Sequence, residues 1–351
     1  MGMIKLPDKS INFFKDNLDE IFHSGNLAEG KWNKRLEDYF EKLTESRNST
    51  VTNSNGSGLV SLMCIYKQYH NRSKVLIQTN TMYGVKTMVP TSGCELIGYI
   101  DCQLETLMPS INDLKKSIEN IDKNTKNELI ILLSHIGGII NPDIEEISDL
   151  CKNENIILLE DCAHSLCATL KNKHSGLFGN AGVFSFYATK AIPAGEGGVV
   201  VTNDDQIGEK IKKFAIYDRF DQELIVGNNI RISEVQALLL FSVLKEWEEI
   251  IENKKTIANQ YIRACKEHGI NYIAQNNNGH SGNYYKFILY NKDIPFKDFL
   301  PKLKTLTSGV YDYSLSRKDK IIPNHHVCLP IWYGQEQSVT SKVISEISEG
   351  F

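Results

Sequence analysis

Three groups of residues in this chain have the types and spacing for chemistry. The first is Lys190, which lies in GVFSFYATKAIPAGEGGVVVTND between two β-rich apolar segments, just before the turn Gly195-Glu196-Gly197-Gly198. Such surroundings strip water from an amine and favour its neutral form, making it a nucleophile toward carbonyls or a general base. The second is Asp161, delivered with Glu160 at the carboxyl end of the apolar run IILLED. Open α/β sheets bind their ligands at that end. The third is Asn53-Ser54-Asn55-Gly56-Ser57-Gly58, a strand-to-helix turn whose free N–H groups and helix dipole suit a phosphate. It carries neither a Walker lysine nor GxGxxG, which argues against nucleoside triphosphates and dinucleotides. Each feature also has a plainer reading: a solvated lysine, a carboxylate capping the next helix, an ordinary glycine turn. Taken together they match pyridoxal phosphate. That cofactor needs an amine for its aldehyde, an anion beside its pyridine nitrogen and donors around its phosphate.

The elements that must position these groups are visible as apolar runs. Strands are expected at 50–53, 75–79, 95–100, 129–135, 156–161, 183–186 and 198–202, most of them continuously apolar. That pattern belongs to a mainly parallel sheet sandwiched by helices. Helices are expected at 57–70 and 143–153, the second starting at Asn141-Pro142-Asp143. The fold class is therefore α/β with a seven-stranded sheet. From Arg231 to about His268 the chain reads as one long helix, opened by Ser233 and Gln236 at capping-box spacing and stopped at Gly269. A smaller set follows: a strand at 284–290 and helices at 296–306 and 335–350. The 351 residues suit two domains, a large cofactor-binding one at 1–245 with an N-terminal helical segment, and a small C-terminal α/β one at 246–351.

Composition removes several classes. With 39 Lys+Arg against 43 Asp+Glu the net charge is −4, which offers no basic surface to nucleic acid or anionic membrane. No run is long and apolar enough to span a bilayer, and the first ten residues contain no secretory apolar core. A cytoplasmic setting is expected. The eight cysteines lack paired ligand spacing, so reduced thiols and no metal site are expected.

The segments EDCAHSL, GVFSFYATK, GEGGVVVTND and GNNIRISEVQA, in this order and spacing, resemble the DegT/StrS nucleotide-sugar aminotransferases. SGNLAEGKW, the SNGSG turn and the helix after NPDIEEI extend the resemblance over roughly residues 15–250. It implies the fold-type-I pyridoxal phosphate architecture. By position, Lys190 resembles the lysine that joins the cofactor aldehyde, and Asp161 the carboxylate that pairs with the pyridine nitrogen. His164 resembles the residue beside the phenolic oxygen. Gly56, Ser57 and Ser185 resemble the phosphate donors. Asn229 resembles an asparagine reaching the phosphate of the neighbouring subunit, which implies a homodimer with shared active sites.

The resemblance also implies a reaction: the amino group of L-glutamate moves to a keto carbon of a nucleotide-linked deoxysugar. Arg219 and Arg231 are candidates for substrate anions, and Tyr313 for substrate binding; Arg219 and Arg231 read equally well as surface or helix-start arginines. His at 164 favours a 4-keto sugar over a 3-keto one. Two alternatives remain. In the dehydratase branch the lysine is replaced by histidine, and Lys190 argues against it; a non-catalytic regulatory relative would lack reason to keep Asp161, Lys190 and the cradle together. Departures from the family lie at Met82 and Tyr83, where an aromatic usually stacks on the cofactor, and at Gly137, where relatives often carry tyrosine. The stretch 311–330 also looks shortened.

Overall fold

The apolar runs form one seven-stranded sheet in the computed structural model, which describes residues 4–217, 219, 226–305 and 321–349. In chain order the strands are β1 (Asn48–Thr52), β2 (Lys74–Gln78), β3 (Glu95–Ile100), β4 (Leu129–Ser134), β5 (Ile157–Asp161), β6 (Ala181–Ser185) and β7 (Gly198–Thr202). Their spatial order is β1-β7-β6-β5-β4-β2-β3. Pairing is parallel except at β7, which runs antiparallel to both β1 and β6. β4, β6 and β7 are buried at every position, as continuous apolar strands under two helical layers must be.

The sheet edge at β1 is closed by helix α2 (Lys31–Thr44). The Ser49 N–H donates to Glu41 and the Val51 N–H to Glu37, each at 3.1 Å, so ladder donors that would face solvent are satisfied. Burial raises the Glu37 carboxyl above its ordinary range. Helix α3 (Asn55–His70) lies directly on β6 and β7. A Cβ at Gly58 would fall 2.6 Å from Val183 Cγ1, so only glycine permits this approach. The amino terminus of α3 is thereby brought over the carboxyl edge of the sheet.

The helix expected to run unbroken from Arg231 is two helices, Glu234–Leu244 and Trp247–Glu267. Leu238, Leu240, Val243 and Leu244 are buried with α2 against the large sheet. Ile257, Tyr261 and Cys265 pack into a separate core. The chain turns at Lys245 and Glu246 to serve both. Ser233 Oγ accepts from the Gln236 N–H as a cap, but Gln236 Nε2 donates to the Ala194 carbonyl at 2.8 Å instead of returning to the cap. Gly269 (φ 65°) does end the second helix.

The second core is closed by a small antiparallel sheet of β8 (Asn271–Tyr272), β9 (Phe287–Tyr290) and β10 (His326–Leu329), and by the helix Gln337–Ser348. The strand expected from residue 284 begins only at Phe287, because Tyr284 sits in the left-handed region at φ 50°. Of the helix expected at 296–306, Phe296–Phe299 is helical. A third small sheet pairs His280–Ser281 with Thr169–Leu170 and so ties the C-terminal part to the large sheet. All eight cysteines are free thiols, and no described helix is long and apolar enough to cross a membrane.

Candidate active site

A cavity of about 300 Å³ opens at the carboxyl edge of the large sheet. Its walls come from the segments that follow β1, β2, β4, β5 and β6, as parallel topology dictates. Lys190 and Asp161 both line it, and so do Gly56, Met82, His164 and Ser185. Gly56 and Lys190, 134 positions apart in sequence, thus share one site.

Asp161 ends β5 and is held by three donors. Its Oδ1 accepts from Asn55 Nδ2 at 3.0 Å and from the Ala163 N–H at 3.1 Å, and its Oδ2 accepts from Ser134 Oγ at 2.9 Å. Thr81 Oγ1 lies 2.8 Å from Ser134 Oγ and extends the chain. The carboxylate is buried, and these donors fix its direction.

Lys190 enters from the turn after β6, its N–H donating to the Tyr187 carbonyl at 2.8 Å. Burial of its amine lowers the pKa to about 8. Asp161 opposes that shift and Lys286 adds to it. The Nζ atom lies 5.2 Å from the centre of the Tyr285 ring. The same ring lies 4.3 Å from the His164 imidazole at 38°. Burial, and then the charges of Lys190 and Lys286, hold His164 well below the ordinary histidine range. Its Nδ1 is buried without a hydrogen-bond partner.

The turn after β1 forms another wall. Ser54 caps α3, its Oγ accepting from the Ser57 N–H at 3.1 Å. Ser57 is not among the residues lining the cavity; its hydroxyl donates to Asn53 Oδ1 at 2.5 Å and lies 2.9 Å from Ser54 Oγ. Met82 is at the cavity wall, whereas Tyr83 is 53% exposed and outside it.

The remaining expected residues lie elsewhere in this chain. Arg231 Nε pairs with Glu29 at 3.0 Å and Arg219 with the same carboxylate at 3.4 Å. Asn229 is exposed beside them, its Oδ1 accepting from the Arg231 N–H. Tyr313 falls outside the described residues.

Sequence reasoning missed Asn55, Ser134 and Tyr285. Asn55 was in view as part of the turn, but nothing in the turn says that its amide points at Asp161. Tyr285 belongs to a loop held on the large sheet by many backbone contacts. The Asn283 N–H donates to Gly138 O at 3.0 Å and the Lys286 N–H to Gly137 O at 2.9 Å, while Asn283 Nδ2 reaches His164 O and Leu166 O. Gly137 makes this docking possible. Its φ is 77°, and a Cβ there would meet Ile288 Cδ1 at 2.7 Å.

His135, Glu160 and Cys162 bring ligand-type atoms together beneath the cavity. Their valences are already used. Glu160 accepts the N–H groups of Gly176, Phe178 and Gly179, and pairs with His135 Nε2 at 2.8 Å. His135 Nδ1 accepts from the Asn141 N–H, which places the ring proton on Nε2. Burial also keeps the Cys162 thiol protonated. This is a structural clamp on 169–180.

Residues 9–305 match the model of the family described as DegT/DnrJ/EryC1/StrS aminotransferase. The chain belongs to this aminotransferase family. Among curated relatives, a GDP-perosamine synthase of Escherichia coli O157:H7 is 28% identical over 73% of this chain and 68% of its own length. The UDP-4-amino-4,6-dideoxy-N-acetyl-beta-L-altrosamine transaminase of Helicobacter pylori is 29% identical over 71% and 66%. The match thus spans about two thirds of these relatives. Solved structures agree in fold over nearly the whole chain. An aminotransferase family member of Brucella abortus superposes with a TM-score of 0.86 (18% identity, 99% of both chains), and H. pylori PseC, an aminotransferase of pseudoaminic acid biosynthesis, with 0.82 (21% identity, 99% and 97%).

Proposed function

We propose that this family member is a pyridoxal phosphate-dependent aminotransferase that moves the amino group of L-glutamate to a keto carbon, C4, of a nucleotide-linked keto-deoxysugar. One observation carries the reading: a desolvated lysine amine and a rigidly held carboxylate line the same cavity. The residues present fit the cofactor. A buried, unpartnered His164 Nδ1 awaits a polar atom, and the α3 amino terminus at Ser54 and Gly56, with Ser185, offers donors to a phosphate.

When bound, the cofactor supplies an aldehyde that takes the amine and a ring that accepts electron density from a carbanion. Lys190 Nζ, neutral in a large fraction near pH 8, would hold the cofactor through its aldehyde carbon, and the same amine, when free, would be the base placed to take a proton from the donor Cα. Asp161, its direction set by Asn55, Ala163 and Ser134, would face the pyridine nitrogen, and His164, held neutral by burial, would offer Nδ1 to a polar atom of the ring. The relatives' printed names favour a nucleotide-sugar substrate, and the 4-amino-4,6-dideoxy product name favours C4 over C3.

A second copy of the chain belongs to this reading. The resemblance implies that Asn229 serves the partner's phosphate, and its exposure outside its own cavity supports that reading, as do the exposed Met82, Tyr83, Tyr187 and Tyr217, which offer apolar surface for such a contact. The turn at Lys245 and Glu246 is taken as the boundary of domains 1–245 and 246–351. The test is conversion of 4-keto-6-deoxyhexose nucleotides with glutamate, read as product mass. Amination at that carbon is expected; no amination of any keto-sugar nucleotide by cofactor-loaded protein refutes the reading.

A further inference from the structure

The loop that carries Lys190 between β6 and β7 is closed by its own backbone. The Ala194 N–H donates to the Phe186 carbonyl, the Ala188 N–H to Gly195 O and the Phe186 N–H to Gly197 O, each at 2.9 Å. Lys190 lies inside this closure, followed by the buried Ala191, Ile192 and Ala194. The closing turn relies on glycine at two positions, Gly195 at φ 90° and Gly197 at φ 139°. Helix Glu234–Leu244 meets that turn at two points one helical turn apart. Gln236 Nε2 donates to the Ala194 carbonyl at 2.8 Å and also to the Glu196 carbonyl. A Cβ at Gly197 would fall 2.9 Å from Leu240 Cδ2, so the helix packs directly on the turn.

No other described residue donates to either carbonyl. Ala194 is buried, so removing the Gln236 amide would leave its carbonyl unpaired, at the cost of a lost hydrogen bond plus desolvation. The turn would then be held only by its internal bonds, across two glycines whose backbone is free to relax. The neighbouring Lys190 owes its reactive form to exclusion of water, and an opened loop readmits it. We infer that Gln236 is a positioning residue for Lys190: by gripping the closing turn from another helix, it keeps the amine in the cavity wall and out of water. Gln236 does not itself line the cavity, so it acts through the loop. The inference rests on the aminotransferase reading, in which the Lys190 amine is the reacting group.

The test reads the pH midpoint of Lys190 acylation in the cofactor-free full chain by peptide mass, together with amide exchange over 186–197. Gln236→Met keeps the side-chain length without a donor, and Gln236→Asn keeps the amide but draws it back from both carbonyls. Both are expected to raise the midpoint by about one pH unit, or about tenfold less neutral amine at pH 7, and to speed exchange at Ala188 and Ala194 about tenfold. Ile250→Ala opens a cavity in the same core from the helix Trp247–Glu267, and should lower stability while leaving the midpoint in place. A midpoint unmoved in either folded Gln236 variant, or raised equally by Ile250→Ala, overturns the inference. Gln236 is half-buried, and should the Met variant not fold, the Asn variant carries the same comparison. Borohydride attachment of pyridoxal phosphate, measured on the wild type, separates the two failures. Attachment at Lys190 with an unmoved midpoint removes the role of Gln236 alone, and absent attachment in the wild type removes the aminotransferase reading.

Discussion

Asp161→Asn and Lys286→Met should shift the titration of Lys190 in opposite directions. Burial brings this amine from 10.5 to about 8 against the pull of Asp161 and with the push of Lys286. At pH 8 about half of the amines are then neutral, against about 0.3% for an ordinary lysine, a gain of roughly 150-fold in reactive form. Deleting the Asp161 charge lowers the midpoint further, and deleting the Lys286 charge raises it. Each change is on the order of one pH unit, or about tenfold in neutral fraction at fixed pH below the midpoint. The sign for stability follows from proton counting. Between pH 8 and 10.5 the unfolded chain holds the proton that the folded chain has lost, so stability rises with pH across that window, by up to about 3 kcal/mol. Below pH 8 the folded state bears the full penalty. The assay is the pH dependence of Lys190 acylation in cofactor-free protein, followed by peptide mass. A wild-type midpoint near 10.5, or movement of both variants in one direction, refutes the electrostatic account.

Three further outcomes follow from the packing. Ser134→Ala removes the 2.9 Å bond to Asp161 Oδ2 and should cost about 1.5–3 kcal/mol in urea unfolding, with weaker cofactor retention on dialysis. Gly137→Ala places a methyl group 2.7 Å from Ile288 Cδ1 at a φ of 77°. It should cost about 1–3 kcal/mol and speed amide exchange in 283–288, where the loop docks. Glu160→Gln leaves three backbone N–H donors facing an amide, one oxygen short, and should destabilise by about 3 kcal/mol. Limited proteolysis should then cut first within 169–180.

The sheet was legible because its strands are buried on both faces, so composition alone marks them. All seven apolar runs are strands, with ends shifted by at most two or three residues. Lys190, Asp161 and the turn at 53–58 were legible for a related reason. Each adjoins such a run at its carboxyl end, and topology then brings those ends together. The turn at Lys245 was not legible, because both helices around it keep helical periodicity and only the position of two separate cores splits them. The Tyr285–Lys286 loop was not legible either, its residues reading as the start of the strand that begins at Phe287. It is neither periodic nor glycine-rich, and its contact with His164 depends on Asn283 and Gly138 meeting across 145 residues. Arg219 and Arg231 carried the right chemistry for substrate anions, but in this chain their nearest acid is Glu29.

The most direct measurement is to load the protein with pyridoxal phosphate, reduce it with borohydride and map the modified peptide by mass. The account requires one label per chain, on Lys190, with Asp161→Asn still labelled there but holding the unreduced cofactor far more weakly. A label on another lysine, or none, would mean that the amine and carboxylate in this cavity do not hold the cofactor between them.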